Sequence, residues 1–335
     1  MVLTAFVAAA VLAPLQKTTV VLGGDIMLNQ ISVKLKPLSA LKPLFDSGDV
    51  GIANLEIPLT DSRKATPYKS AAELKARTQY ILKADPEHIL GIKGAGIDLV
   101  SLANNHVMDY GNEGLNQMIG LLTKHNILYT GAGPTISEAK EVISKDNVAL
   151  LSALAFMNTG SMTKLGPATD KRAGLHALIF NASINKNTRA YLKNWIGGQR
   201  DGNEIMIVAL HWGIEKQTVP TPYQVNLARA CIDAGADVVW GHHPHVLQGA
   251  ELYKGKPILY SMGNLISKKE GPTGLVRIYF EDSKFKSFRF LPLSIAGGRV
   301  KPVAAKQAPG RQQGFQRLSE AIQRRYPNKL SKVLF

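Results

Sequence analysis

The sequence predicts an α/β fold, and three observations point to it. Apolar runs of strand length alternate with stretches whose apolar residues recur at helical spacing, which is the βα alternation of α/β proteins. Several of these runs stop at glycines or at Asn, Asp and His, as strands do where they give way to turns. At 335 residues, with 45% hydrophobic and 19% charged content, the chain has ample core for one large α/β domain or two smaller ones.

The first run, Thr18-Thr19-Val20-Val21-Leu22, ends at Gly23-Gly24-Asp25, where paired glycines let the backbone turn and present the Asp25 carboxylate at the strand end. A capping aspartate explains this stretch equally well. Val50-Gly51-Ile52-Ala53 leads into Asn54-Leu55-Glu56, and period-2 alternation puts Asn54 and Glu56 on one side, opposite Leu55. Residues 61–83 are polar and rich in Lys and Arg, and they read as a loop that overhangs a site. Asp85-Pro86-Glu87 supplies an N-cap, a first-position proline and an acidic first turn to a helix carrying Ile89, Leu90 and Ile92. His88, in that polar turn, reads as a surface residue.

The next strand, Ile97 to Ala103, ends in Asn104-Asn105-His106, with Asp109 three residues on and a helix carrying Leu115, Met118, Ile119 and Leu122 after it. Asn, Asn, His and Asp so close together at a strand-to-helix turn read as functional, although Asn is also an ordinary turn residue. His125 falls at the end of that helix, where a basic group is favoured. Residues 148–154 form another strand, residues 158–174 are irregular, and His176 has no partner nearby in sequence. The strand at residues 204–210 ends in His211-Trp212-Gly213, with Glu215 beyond; the helix from Tyr223 carries Leu227, Ala228, Cys231 and Ile232 on one face, so Cys231 belongs to the core.

Ala236-Asp237-Val238-Val239-Trp240 then gives way to Gly241-His242-His243-Pro244-His245. Neutral imidazole is the commonest metal ligand and is costly to bury without a partner, so this cluster asks for an explanation. A strand from Pro257 ends in Gly263-Asn264; residues 275–280 and 285–291 alternate as a hairpin; and Phe315, Leu318 and Ile322 mark a terminal amphipathic helix packed on the body.

Cys231 is the sole cysteine, which excludes an internal disulfide and any thiolate metal cluster. The formal net charge is +15, and the last 55 residues hold twelve basic against three acidic residues, which points to an anionic neighbour. No RNP-type aromatics or zinc-finger spacing mark a nucleic-acid module. Residues 1–15 are apolar and uncharged, too short for a membrane span, and read as a secretory h-region lacking the usual basic residues before it. A plain buried N-terminal segment is the alternative.

Strands ending in Asp25, Asn54/Glu56, Asn105/His106, His211 and the histidine triplet can converge, because the carboxyl ends of strands in open α/β sheets line one crevice. Carboxylates, Asn and imidazoles without sulfur suit Zn, Mn or Fe, as one divalent ion or two. A pair of ions can activate a water and clamp the oxygens of a phosphate or carbonyl.

Taken together, Gly24-Asp25-Ile26-Met27-Leu28, Asn54-Leu55-Glu56, Ala103-Asn104-Asn105-His106-x-x-Asp109-Tyr110-Gly111, His211-Trp212-Gly213-x-Glu215, Gly241-His242-His243-Pro244-His245 and Tyr260-Ser261-x-Gly263-Asn264 resemble the CapA family of capsule-synthesis proteins, within the calcineurin-like metallophosphatase superfamily. The resemblance runs from about Val20 to Asn264. It implies a four-layer α/β/β/α metallophosphatase-like sandwich over residues 17–302, with the hairpin completing the second sheet. Residues 1–16 would be a leader, and residues 303–335 a basic helical extension packed on the domain. The resemblance also implies metal ligation by Asp25, Glu56, Asn105, His211, His243 and His245, with His106 and Asp109 catalytic. Asn54, Asn104, Glu215, His242 and Asn264 would orient ligands or face substrate. Against the superfamily pattern Met27 occupies the place of the histidine in Asp-x-His, and Glu56 takes the place of the bridging aspartate, on a longer arm; within the CapA-like set Lys216 stands where a tyrosine commonly follows the glutamate.

The function expected is that of an exported metal-dependent phosphoesterase-type hydrolase in capsule or envelope polymer synthesis. Its partners would be an anionic, poly-γ-glutamate-like polymer or a phosphorylated substrate and an envelope biosynthesis complex, with no nucleic acid and at most peripheral membrane contact. The alternative is a non-catalytic polymer-binding or export component that retains the fold.

Overall fold

The computed structural model describes residues 15–66, 69–156, 165–178, 184–200, 202 and 204–327. Residues 1–14 of the apolar leader and residues 157–164 of the irregular stretch lie outside these. In chain order the strands are β1 (Lys17–Ile26), β2 (Val50–Leu55), β3 (Leu99–Ser101), β4 (Leu128–Thr130), β5 (Ala132–Gly133), β6 (Ile143–Lys145), β7 (Val148–Ala155) and β8 (Gly174–Leu175). They continue as β9 (Ile205–Trp212), β10 (Val238–His242), β11 (Leu247–Tyr253), β12 (Lys256–Met262), β13 (Asn264–Ile266), β14 (Gly271–Glu281), β15 (Lys284–Ala296) and β16 (Arg299–Pro302).

Two large sheets result. The first runs β16-β15-β14-β1-β2-β3-β4, with β13 also alongside β1; the second runs β11-β12-β10-β9-β7-β6. Strands β1 to β4 are mutually parallel, as are β7, β9, β10 and β12. Period-2 alternation sorts the side chains into layers. Val20 and Leu22 face a core shared with Ile205, Ile207, Val238 and Trp240 of the other sheet. Val21 turns outward, onto a core that includes Ile92, Leu115 and Met118 of the helices His88–Gly94 and Gly111–Lys124. Met206, Val208 and Leu210 turn the other way, onto Leu227 and Cys231 of the helix Pro222–Asp233. Three apolar layers between four slabs give the expected α/β/β/α sandwich.

The hairpin β14–β15 departs from expectation. It joins the first sheet, where β14 pairs antiparallel with β1 from Lys17↔Glu281 to Leu22↔Val276. Without it β1 would present a long unpaired edge, which β14 covers. His88 also departs: it is 2% exposed, and its Nε2 lies 2.9 Å from the Ile31 carbonyl. The terminal helix, Ala308–Arg325, begins earlier than the periodicity marks and buries Phe315, Ser319 and Ile322. Cys231 is buried, as its helical face requires.

Candidate metal centre

The two sheets meet at the carboxyl ends of their parallel strands, and glycines set how closely. At the seam a Cβ on Gly24 would stand 2.1 Å from the Gly263 carbonyl oxygen; within the second sheet one on Gly241 of β10 would stand 2.1 Å from the Tyr260 carbonyl oxygen of the neighbouring β12. Only glycine permits these approaches. Across the seam, Trp240 of β10 donates its indole N–H to the Gly23 carbonyl at 3.0 Å, holding the Asp25 strand end against the histidine cluster.

Asp25 is fully buried and well supplied with donors. Asn54 Nδ2 donates to its Oδ1 at 3.0 Å, His242 Nδ1 lies 2.6 Å from the same oxygen, and the His243 backbone N–H reaches Oδ2 at 3.3 Å. Burial opposes ionisation, but His242 and His245 outweigh it and hold the carboxyl well below the usual range. Glu56 is equally buried, yet neither carboxylate oxygen has a hydrogen-bond donor. Burial pushes its pKa well up; His245 opposes the rise and the Asp25 charge adds to it.

His211 Nε2 lies 2.8 Å from Asn105 Oδ1, 3.2 Å from His243 Nδ1 and 3.7 Å from Glu56 Oε1. One ring nitrogen carries at most one proton, which serves one of these atoms. The nearest cationic group to this cluster is His245, whose Nε2 is 3.5 Å from Glu56 Oε1. Burial, with His243 next, holds the His211 imidazole well below its ordinary pKa, and burial with His245 pushes His243 to about 3. On the other side of Glu56, His245 places Nδ1 3.3 Å from Asp25 Oδ2 and Nε2 3.5 Å from Glu56 Oε1. Burial disfavours its charge, but Glu56 and Asp25 win and raise it to about 10. Asn264 Oδ1, 2.8 Å from Nδ1, fixes that ring.

Ligand atoms of Glu56, His211 and His243 lie within 4.8 Å of one another, as do those of Asp25, Glu56 and His245. Glu56 belongs to both groups. His243 (φ 93°) and His245 (φ 58°) both adopt left-handed backbone, a strained conformation for imidazole residues that turns two neighbouring rings into one site. Oxygen and imidazole donors without sulfur, two orphaned carboxylate oxygens and a shared glutamate fit one or two divalent ions of the Zn, Mn or Fe kind.

Beside this cluster His106 and Asp109 form a second group. His106 Nδ1 lies 2.8 Å from Asp109 Oδ2, and the His106 backbone N–H donates to Asn104 Oδ1 at 3.1 Å. Asn104 in turn donates to the Leu55 carbonyl at 2.9 Å, tying this turn to the Glu56 strand. Sequence reasoning missed Lys69. Its ammonium is buried, hydrogen-bonded to Asp109 Oδ1 and to the Tyr80 carbonyl, and 3.3 Å from His106 Nδ1. Within the stretch read as a loop, residues 61–83, the structure forms a short helix, Ala71–Lys75, whose capping box of Ser70 and Glu73 the sequence already carries; nothing local separates Lys69 from the other basic residues there. Burial and then Lys69 lower the His106 pKa, against Asp109. Glu215 is exposed at the rim, where its charge raises both Glu56 and His245. His242, the histidine the motif leaves over, makes the shortest contact to Asp25, and its Nε2 is buried without a partner. His176 lies away from this group, between the Ser152 carbonyl and the Tyr191 hydroxyl, each 3.0 Å from a ring nitrogen.

The fold and site thus define an α/β/β/α sandwich with a buried carboxylate–imidazole cluster at the seam between its sheets. Residues 19–269 match the family described as bacterial capsule synthesis protein PGA_cap, and the chain belongs to that family. It is 29% identical over 306 residues to the capsule biosynthesis protein CapA of Bacillus anthracis, spanning 87% of this chain and 70% of that protein. To the PGA biosynthesis protein CapA of Bacillus subtilis it is 30% identical over 291 residues, spanning 84% and 72%. Among solved structures, a phosphatase from Mycoplasma pneumoniae superposes with a TM-score of 0.48 at 12% identity, covering 86% of this chain and 95% of that one.

Proposed function

We propose that the protein is a divalent-metal-dependent hydrolase of phosphoesterase type acting in poly-γ-glutamate-like capsule synthesis outside the cytoplasm. The observation that carries the reading is Glu56: a fully buried glutamate with no donor on either oxygen, shared by two groups of candidate ligands. Asp25, Glu56, Asn105, His211, His243 and His245 would hold the metal, which when bound supplies a Lewis acid and a water of lowered pKa. Asn54 fixes Asp25 through Oδ1, and Asn264 fixes His245 through Nδ1. His106 exchanges a proton with substrate at Nε2, since Nδ1 is committed to Asp109. Lys69 holds Asp109 in place and, second to burial, lowers the His106 pKa. The names of the Bacillus relatives support the setting, and the apolar residues 1–15 support export. Among the described residues no helix is long and apolar enough to cross a membrane.

The test is elemental analysis of the purified protein together with hydrolysis of bis(p-nitrophenyl) phosphate before and after addition of Mn²⁺ or Zn²⁺. Bound metal and a metal-dependent rate that falls about 100-fold or more in His106→Ala are expected. Metal-loaded protein that is inert, with His106→Ala indistinguishable from wild type, would leave the non-catalytic polymer-binding role, which Met27 in place of histidine favours.

A further inference from the structure

A cavity of about 600 Å³ opens beside the centre, and His245 and Asn264 form part of its wall. Away from them the lining turns apolar: Val246, Leu247, Phe290, Ile295, Phe315 and Leu318. Phe290 and Phe315 stack at 4.4 Å between ring centroids, so the floor is a fixed surface. The terminal helix that closes this side is pinned to β11, where Ser319 Oγ accepts from the Ala250 N–H at 2.9 Å. Its cavity-lining face includes Gly310 and Gly314, and a Cβ at either would meet nothing within 4 Å. The absent side chains leave space where a helix would ordinarily carry bulk. Lys269, Arg311 and Arg317 also line it, against Glu270, whose Oε1 already accepts from the Gly297 N–H at 2.7 Å.

We propose that this cavity holds the apolar chain of an amphiphilic phosphate ester whose phosphate lies at the centre by His245 and Asn264. The proposal rests on the phosphoesterase reading and names its substrate class. A volume of this size is typical of ligand sites, and an apolar wall with cations beside it matches an ester that is anionic at one end and hydrocarbon along the rest. An oligo-γ-glutamate fits less well, because its repeated carboxylates and amides would lose water against Phe290 and Phe315 without gaining partners.

The experiment is calorimetric titration of Mn²⁺-loaded full-length protein with inorganic phosphate and with butyl, hexyl and octyl phosphate below their micelle concentrations. Kd should fall with chain length, by up to about fourfold per methylene. Gly314→Leu, with Gly310→Leu as the second variant, should flatten that series while leaving the affinity for inorganic phosphate and the melting temperature intact. A Kd independent of chain length overturns the proposal. So does a series as steep in both variants as in wild type, or tri-γ-glutamate binding that Gly314→Leu weakens as it weakens octyl phosphate. The two readings separate cleanly. Inorganic phosphate that fails to bind while the chain-length series persists refutes the phosphoesterase and keeps the cavity as an apolar-chain site; phosphate that binds with a flat series does the reverse.

Discussion

Glu56→Gln should stabilise the protein in chelator and destabilise it, relative to wild type, in metal. The carboxylate is fully buried, no donor reaches either oxygen, and the Asp25 carboxylate adds repulsion; the nearest compensating charge is His245 Nε2 at 3.5 Å from Oε1. Leaving a buried polar group unsatisfied costs about 1–3 kcal/mol, and more when it is charged. Gln keeps the shape, cannot ionise and offers an amide donor toward Asp25. After allowance for the lost attraction to His245, the variant should gain about 1–2 kcal/mol by urea denaturation in EDTA. With metal at about 1,000 times its Kd, wild type gains about 4 kcal/mol by mass action. Glu56→Gln, short of the shared ligand, gains much less, so the order of stabilities reverses. The reasoning fails if the variant is the less stable protein in EDTA, or if metal stabilises both by the same amount.

Two further outcomes follow from buried groups the mechanism uses lightly or not at all. His176 is held neutral chiefly by burial, with its pKa down at about 3. Below an unfolded value of about 6.5 the unfolded chain binds a proton that the folded one does not, so its stabilising effect is complete above that pH and is lost as pH falls toward 3, by about 1.4 kcal/mol per unit. His176→Gln should therefore show a shallower fall in denaturation free energy between pH 6 and pH 4, and superimposable slopes would show that the imidazole is not held neutral. Lys69→Met strands the Asp109 carboxylate in the interior and should cost about 3–5 kcal/mol. Adding Asp109→Asn should recover part of that stability without restoring hydrolysis, and a double variant no more stable than the single one would refute the pairing.

The sheets, and the strand-end positions of most candidate ligands, were legible because they follow local rules. Apolar runs ending at Gly24, Gly213 or Gly241 announce buried strands, and the polar residues beside those glycines fall at strand ends by position alone. What stayed illegible depends on partners distant in sequence. His88 looked exposed because its partner, the Ile31 carbonyl, lies 57 residues away, and Lys69 looked like any other loop lysine because Asp109 is 40 residues on. The hairpin's alternation marked β14 and β15 correctly, but not the sheet they join, which is settled by the edge β1 would otherwise leave open.

The two carboxylates at the centre have been given opposite surroundings, and that difference assigns their parts. Asp25 receives an amide, an imidazole and a backbone N–H, so its charge is met within the protein and its position is fixed by both sheets at once. Glu56 receives none of these, although it stands between His211 on one side and His245 on the other. Environments that drive paired titratable groups apart divide roles between them. Asp25 is the anchor that folding completes. Glu56 has no donor on either oxygen, so its lone pairs would be available to the proposed metal, and without a cation burial works against its ionised form. A site assembled from β2 of one sheet and β9 and β10 of the other exists only when the sheets are docked. The groups proposed to bind metal are therefore also those through which metal would hold the two halves of the sandwich together.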